Sequence, residues 1–206
     1  MSGADPLAPF GGVVPLFTPR DAAHGVALAR AFAAAGITAV EVALRGPGAL
    51  PAIEAIARDV PSLCVIAGTV RTRADFDAAR VAGAHAAVSP GATPALLDAL
   101  HDPPIPWIPG VATAAEAMAC AERGHRFLKF FPAASAGGAA ALRALSGPLP
   151  ELRWFPTGGI DAATLGGYAG RPEVFAVGGS WMLDGDDAAA AVTAWRTARA
   201  GLRTGD

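Results

Sequence analysis

Eight short apolar runs alternate with eight longer segments of helical spacing along this chain of 206 residues. An alternation of this kind implies a parallel sheet covered by helices. The predicted strands occupy residues 13–17, 39–44, 63–69, 86–89, 106–108, 126–131, 153–156 and 174–177. The predicted helices occupy residues 21–35, 48–58, 72–82, 93–100, 113–123, 138–145, 161–168 and 186–202. The predicted N-cap residues are Asp21, Thr72, Thr93, Thr113 and Asp161.

The number of strand–helix units favours a single, small (β/α)8 barrel (TIM barrel) of the α/β class, because eight parallel strands close that fold. An open doubly wound sheet is the alternative. That fold has a glycine-rich fingerprint after its first strand, where this chain has Thr18-Pro19-Arg20. We expect residues 1–12 to form an irregular, shortened lead-in and residues 13–206 to form the barrel domain.

Composition excludes several classes of protein. The chain is 52% hydrophobic and 17% charged, which predicts a large core rather than disorder. A formal net charge of -2, without basic residues interleaved with aromatics, argues against a nucleic-acid partner. The four histidines have no ligand spacing, so no metal is predicted. The sequence contains no apparent membrane span or signal peptide, and we therefore expect a cytoplasmic protein without a membrane partner.

Lys129 is the only lysine, and it lies within the apolar segment Phe127-Leu128-Lys129-Phe130-Phe131. The other 15 of the 16 basic residues are arginines, whose guanidinium stays protonated. Burial of a lysine is costly, and it favours the neutral, nucleophilic amine. We therefore predict a Schiff-base lysine whose side chain lies on the interior face with Phe127 and Phe131. A structural lysine paired with a carboxylate is the alternative.

Glu41, Ala43 and Arg45 share one face of the second predicted strand, opposite the apolar residues 40, 42 and 44. Charges on an interior face break the apolar pattern of buried parallel strands. An ion pair between Glu41 and Arg45 is one explanation, but four residues of extended strand separate them by about 13 Å. We favour separate roles, with Glu41 moving protons and Arg45 holding a substrate carboxylate.

Glycine pairs follow the last two predicted strands, as Gly158-Gly159 and as Gly178-Gly179 before Ser180. The corresponding loops of (β/α)8 barrels frequently bind phosphate. Glycine lets backbone N–H groups approach an anion closely. Neither loop contains a basic residue, so we expect backbone amides and the Ser180 hydroxyl to hold a phosphate.

A series of sequence blocks makes the chain resemble the class I (Schiff-base) 2-keto-3-deoxy-6-phosphogluconate (KDPG) aldolase and 4-hydroxy-2-oxoglutarate aldolase family. The resemblance extends from about residue 12 to residue 183, and the fixed order of the blocks makes it specific. The blocks are Val14-Pro15, Glu41-Val42-Ala43-Leu44-Arg45, Ala67-Gly68-Thr69-Val70, Ser89-Pro90-Gly91, Ile108-Pro109-Gly110, Phe127-Leu128-Lys129-Phe130-Phe131-Pro132-Ala133, Pro156-Thr157-Gly158-Gly159-Ile160 and Gly178-Gly179-Ser180-Trp181.

The resemblance implies a (β/α)8 homotrimer that works without a cofactor or metal. It implies that Lys129 forms the Schiff base and that Glu41 is the general acid/base. The substrate-binding residues it implies are Arg45 and Thr69 for the pyruvate-derived carboxylate, Pro90 and Phe131 for packing around the keto acid, and Thr157 for preferring the gluconate over the galactonate. The phosphate-binding residues it implies are Gly158, Gly159, Gly179 and Ser180.

Two departures from the family's pattern are visible. Ala43 stands where the family usually has threonine, which removes one hydroxyl near the carboxylate and affects the expected substrate preference. The segment before the first strand is also short. Either the bottom of the barrel is more open here, or a partner subunit covers it.

The implied reaction is the reversible cleavage of KDPG to pyruvate and glyceraldehyde 3-phosphate in the Entner–Doudoroff pathway. The partners would then be a small keto acid and an aldehyde phosphate. Three alternatives stay open. The first is the same chemistry on the 6-phosphogalactonate analogue or on 4-hydroxy-2-oxoglutarate. The second is a non-catalytic barrel that senses a phosphorylated sugar acid, and the third is a lyase-like enzyme that uses Glu41 without covalent chemistry.

Overall fold

A computed structural model describes Phe10, residues 12–183 and residues 185–202 of the chain. Strands and helices alternate along it as predicted. The strands are β1 Gly12–Phe17, β2 Ala39–Ala43, β3 Cys64–Gly68, β4 Ala86–Val88, β5 Trp107–Ile108, β6 Gly110–Val111, β7 Phe127–Phe130, β8 Arg153–Pro156 and β9 Ala176–Gly179. The helices are α1 Ala22–Ala34, α2 Ala49–Asp59, α3 Arg73–Val81, α4 Pro94–Ala99, α5 Ala114–Glu122, α6 Gly138–Ser146, α7 Gly166–Ala169 and α8 Gly185–Leu202.

The strands form two parallel sheets. One has 6 strands in the order β5-β4-β3-β2-β1-β9, and the other has 3 strands in the order β6-β7-β8. Every strand pairing in both sheets is parallel. The prediction of an α/β protein with a parallel sheet is therefore confirmed. From β1 to β5 and from β6 to β8, neighbouring strands follow the order of the chain. An open doubly wound sheet instead contains a point at which the strand order reverses.

The fifth predicted strand, residues 106–108, is present as the two short strands β5 and β6 on either side of Pro109. Proline has no N–H group to donate to a neighbouring strand, so it interrupts the hydrogen bonding of the strand that contains it. β5 therefore pairs with β4, and β6 pairs with β7. The carbonyl of Pro109 accepts a hydrogen bond of 2.9 Å from the backbone N–H of Lys129, so the interruption is next to the lysine of interest.

The prediction of a helix at residues 161–168 is largely wrong, because α7 comprises only Gly166–Ala169. Asp161 and Thr164 instead close a turn through reciprocal bonds. The Thr164 N–H donates to Asp161 Oδ1 at 2.9 Å, and the Asp161 N–H donates to Thr164 Oγ1 at 3.0 Å. Asp161 is therefore a turn residue rather than an N-cap. The other four predicted N-caps are confirmed, since each side chain accepts a backbone N–H from the first turn of its helix.

The two faces of the strands contribute to two separate hydrophobic clusters. The outer cluster lies against the helices and includes Val40, Val42, Leu128 and Phe130. The inner cluster lies on the opposite face and consists of Phe10, Val14, Ala39, Ile66, Ala86, Val88, Ile108, Phe155 and Ala176. Alternation along the strands explains the separation, because neighbouring residues point to opposite faces. The predicted outer positions 40, 42, 128 and 130 are thereby confirmed.

The predicted lead-in at residues 1–12 is described only at Phe10 and Gly12. Gly12 belongs to β1, so the strand begins one residue earlier than predicted. Phe10 is 1% exposed and belongs to the inner cluster. The rest of the lead-in, residues 1–9 and 11, lies outside the described residues. No helix in the described part of the chain has the length and apolar character that crossing a bilayer requires.

Candidate active site

Lys129 and Glu41 meet on the inner face of the sheets. Lys129 Nζ donates a hydrogen bond of 2.9 Å to Glu41 Oε1, and the two residues are 88 positions apart in sequence. Their exposed fractions are only 4% and 1%. The sequence predicted an inner position for each residue separately. The structure shows that they form a buried ion pair.

The strands explain how two charged side chains come to lie inside. Glu41 lies between Val40 and Val42 on β2, and both neighbours belong to the outer cluster. Lys129 has the same relation to Leu128 and Phe130 on β7. Burial of the apolar neighbours against the helices therefore turns both charged residues inward.

Aromatic rings surround the ammonium group. Lys129 Nζ lies 5.4 Å from the ring centroid of Phe131 and 5.9 Å from that of Phe155. Both distances lie within the range of cation–π attraction. Phe131 is predicted to pack around a bound keto acid, whereas no sequence pattern singled out Phe155. Its only signal was its position on the same strand face as Thr157.

Two buried oxygen atoms of predicted site residues have no hydrogen-bond partner among the described residues. They are Glu41 Oε2 and Thr157 Oγ1. A buried polar atom without a partner costs free energy, and a catalytic role is one explanation for it. Both oxygens therefore offer unused hydrogen-bonding capacity on the inner face.

Glycines permit close contacts at the carboxyl ends of the inner strand faces. A Cβ atom added at Gly110 would lie 2.6 Å from the carbonyl oxygen of Pro90. A Cβ atom added at Gly178 would lie 2.9 Å from the ring of Phe155 and from Cγ2 of Thr157. Any larger residue at these positions would collide with the lining of the site. The site is therefore bounded by close backbone approaches.

Arg45 and Thr69 follow β2 and β3, which pair in a register that places Ala43 opposite Gly68. The two side chains therefore belong to the same edge of the sheet. Arg45 is exposed, and its guanidinium makes no ion pair with Glu41 or with any other described residue. Thr69 is partly buried, and its φ of 63° lies in the left-handed region, which is rare for a β-branched residue.

The loops after β8 and β9 lie beside each other. Thr157 forms an isolated parallel bridge with Gly178. Gly158 and Gly159 have φ values of 95° and 72°, which favour glycine. A Cβ atom on Gly158 would also approach the Phe131 ring to 3.0 Å. The predicted phosphate loop is thus next to the predicted keto-acid pocket.

The remaining predicted site residues lie at the same end of the sheets. Pro90 follows β4 and is partly buried, Gly179 ends β9 against the side chain of Trp181, and Ser180 is exposed. No cluster of three or more His, Cys, Asp and Glu side chains that could hold a metal ion is present among the residues described.

A separate cavity of about 510 Å³ lies near the residues that precede β5 and β7. It is lined by residues 103–108 and 124–127, and it includes none of the predicted site residues. Within it, burial lowers the pKa of His125, which favours the neutral imidazole. This cavity therefore lies apart from the predicted site residues, at the amino ends of β5 and β7.

A family model described as "KDPG and KHG aldolase" matches residues 9–194 of this chain. The chain belongs to the KDPG and KHG aldolase family. The family prediction made from the sequence blocks is therefore confirmed, and with it the expectation of an aldolase-type protein.

Relatives of the same family cover most of the chain. The KHG/KDPG aldolase of Escherichia coli K12 is 40% identical over 185 residues, which are 90% of this chain and 87% of the relative. The 2-dehydro-3-deoxy-phosphogluconate aldolase of Pseudomonas aeruginosa is 43% identical over 171 residues, which are 83% of this chain and 78% of the relative.

A solved family structure is similar over nearly the whole chain. The KDPG aldolase of Legionella pneumophila has a TM-score of 0.84 and 37% sequence identity, and the match covers 95% of this chain and 98% of that one. That crystal structure contains pyruvate captured at low pH as a covalent carbinolamine intermediate.

Proposed function

We propose that the chain is a class I aldolase that cleaves KDPG reversibly to pyruvate and glyceraldehyde 3-phosphate through a Schiff base on Lys129. The observation that carries this proposal is the buried contact of 2.9 Å between Lys129 Nζ and Glu41 Oε1. It joins an amine that can act as a nucleophile to a carboxylate that can accept its proton.

The same contact also fits the alternative of a purely structural ion pair. One feature favours catalysis. A buried structural pair is stable when all its hydrogen-bonding capacity is used, whereas Glu41 Oε2 has no partner among the described residues.

In the proposed reaction Glu41 takes a proton from the Lys129 ammonium, and the neutral amine attacks the C2 ketone. Glu41 protonates the ketone oxygen and takes a proton from the nitrogen, which gives the carbinolamine. It then protonates the hydroxyl, which leaves as water. The resulting iminium withdraws electrons, and the C3–C4 bond breaks as the C4 hydroxyl gives its proton to the Glu41 carboxylate. Glyceraldehyde 3-phosphate leaves. Glu41 returns that proton to C3 of the enamine, and hydrolysis of the iminium releases pyruvate and the Lys129 amine. No cofactor is needed.

The surrounding residues would divide the substrate between them. Arg45 and Thr69 would hold the carboxylate next to the reacting carbon, since their strands are paired. The proposed roles of the others are packing around the keto acid for Pro90 and Phe131, a hydroxyl contact for Thr157, and phosphate binding for Gly158, Gly159, Gly179 and Ser180.

We further propose that both sheets belong to one closed (β/α)8 barrel, formed by residues 13–206. Pro109 joins β5 directly to β6, which links the two sheets at one side. Isolated parallel bridges from Trp154 to Val174 and from Thr157 to Gly178 support closure at the other side. A cytoplasmic homotrimer remains our prediction. The exposed apolar side chains Val81 and Met118 are consistent with subunit contacts.

Reductive trapping tests the proposal. The protein is incubated with pyruvate and borohydride, digested, and analysed by mass spectrometry. We expect a reduced pyruvyl adduct on Lys129, which is the only lysine and thus the only ε-amine. The Lys129→Arg variant is the control, and its one remaining amine is the amino terminus. A folded wild-type protein without an adduct on Lys129 would rule out the class I mechanism.

4-Hydroxy-2-oxoglutarate is a second candidate substrate, because the Escherichia coli relative is named for both activities. Initial rates on KDPG, its galactonate analogue and 4-hydroxy-2-oxoglutarate would rank the substrates. We expect KDPG to give the highest kcat/KM. Thermal stabilisation by these compounds without turnover would instead favour a sensor. Turnover without trapping would favour the non-covalent mechanism.

A further inference from the structure

Gly68 ends β3 beside the carboxylate of Glu41. A Cβ atom built on Gly68 would lie 2.7 Å from Glu41 Cγ and 2.9 Å from Cδ, and it would be closer still to Oε1. Carbon atoms that are not bonded do not approach so closely, since their optimal separation is about 3.5–4.0 Å. The carboxylate of Glu41 therefore occupies the space that any other residue at position 68 would fill.

The backbone of Gly68 does not explain the glycine. Eight glycines of the described chain have a positive φ between 67° and 147°, and Gly68 is not among them. Its backbone conformation is therefore open to residues other than glycine. The glycine is required by the neighbouring side chain.

The other two inner glycines differ from Gly68 in what they accommodate. Added Cβ atoms would meet the backbone of Pro90 at Gly110, and Phe155 together with Thr157 at Gly178. Of these three, only Gly68 makes room for a side chain of the proposed acid–base pair. The missing side chain of Gly68 leaves a slot on β3, and the Glu41 side chain occupies this slot where it contacts Lys129.

We propose that Gly68 is a positioning residue, which holds the Glu41 carboxylate against Lys129 by leaving this slot open. The proposal rests on the proposed function, in which Glu41 transfers protons. A glutamate has several rotatable bonds, and its side chain must be confined to stay within hydrogen-bonding distance of one nitrogen. The slot provides that confinement, because it lies beside Cγ, Cδ and Oε1.

The Gly68→Ala variant tests this role. The added methyl group would overlap Cγ, Cδ and Oε1 of Glu41. The whole side chain should therefore move to another rotamer, away from Lys129, while the strands stay in place. We expect kcat for KDPG cleavage to fall about 10–100-fold, with KM changing by less than about threefold, because proton transfer is impaired more than binding. Gly166→Ala is the matched control, since an added Cβ there meets nothing within 4 Å.

A double-mutant cycle with Glu41→Ala separates positioning from a general effect on structure. The readout is the rate of borohydride trapping of pyruvate on Lys129, measured in all four proteins. Without the Glu41 carboxylate, the methyl group at position 68 has nothing to displace. We therefore expect Gly68→Ala to slow trapping in the wild-type background and to leave it unchanged in the Glu41→Ala background. Equal losses in both backgrounds would overturn the proposal.

Failure of the proposed function gives a different result. If Lys129 is not trapped in the wild-type protein, or if Glu41→Ala keeps full activity, the mechanism itself is wrong. If both behave as expected but Gly68→Ala keeps the wild-type kcat, only the positioning role is wrong. Should Gly68→Ala not fold, the Glu41→Ala/Gly68→Ala protein should regain a cooperative thermal transition, and its failure to do so would also contradict the slot.

Discussion

The inner face of the sheets differs between the amino and carboxyl ends of the strands. At the amino end, aromatic rings pack on one another, with ring centroids 5.3 Å apart for Phe127 and Phe175 and 6.0 Å apart for Phe155 and Phe175. At the carboxyl end lie the Lys129–Glu41 pair and glycines that let neighbouring residues approach closely. The same strands therefore carry aromatic rings at one end of the inner face and a charged pair at the other.

The two ends of the inner face are connected by an aromatic ring. Lys129 is two residues from Phe127 along β7, so the two side chains share a face. The Phe155 ring belongs to the inner cluster and also lies 5.9 Å from Lys129 Nζ. Phe155 therefore connects the aromatic rings of the amino end with the amine of Lys129.

The largest expected effect concerns the carboxyl end. Lys129→Ala should abolish turnover, with kcat reduced by about 10⁴-fold or more, because the nucleophile is removed. Steady-state kinetics on KDPG measure the loss, and circular dichroism checks that the variant is folded.

Lys129→Arg is the matched control for this substitution. It keeps a positive charge beside Glu41 but cannot form an imine, so it should be equally inactive while retaining more stability than Lys129→Ala. Substantial turnover by either variant would show that Lys129 is not the nucleophile, and that the carboxyl end does not carry the chemistry as proposed.

A smaller effect is expected from Phe10→Ala at the amino end. Phe10 is 1% exposed within the inner cluster, and truncation of a buried phenylalanine costs about 3–5 kcal/mol of unfolding free energy. Denaturant unfolding measures that loss. We expect kcat per folded molecule to stay within about twofold of wild type, since the pair lies at the other end. A large drop in kcat with unchanged stability would show that Phe10 acts on the site.

The smallest effect concerns Cys64, which begins β3 and packs against the inner cluster at the amino end. Burial raises the pKa of its thiol to about 11. The thiolate is the reactive form, so at pH 8 its fraction is about 100-fold lower than for a thiol of ordinary pKa. Alkylation by iodoacetamide should be correspondingly slow in the native protein and should accelerate as the pH rises toward 11. In a Cys120→Ser background, rapid alkylation at pH 8 would show that the Cys64 thiol is not buried.

The alternation of apolar runs and the faces of individual strands could be predicted from the sequence. Lys129 and Glu41 were each placed inside because their neighbours along the strand are apolar. Their contact could not be predicted, because periodicity carries no information about distance between strands. The only ion pair of Glu41 considered from the sequence was with Arg45, which the structure shows as exposed and unpaired with it.

Features that depend on space or on competing local bonds were also missed. The role of Gly68 depends on where the end of a glutamate on the neighbouring strand lies, and no residue pattern encodes that. The helix expected at 161–168 is shorter because the side chains of Asp161 and Thr164 bond to the backbone in a turn. The split at Pro109 follows from the missing N–H of proline, a signal present in the sequence.

The composition of the chain has a consequence for its chemical durability. Aldehydes condense with free amines, and the proposed product is itself an aldehyde. Proteins rich in surface lysine offer many places for such adducts, most of them harmless. Here the sole ε-amine is the buried Lys129, so apart from the amino terminus the only amine open to adduct formation is the proposed nucleophile. Under the proposed mechanism, each lasting modification of a lysine would inactivate one whole polypeptide chain.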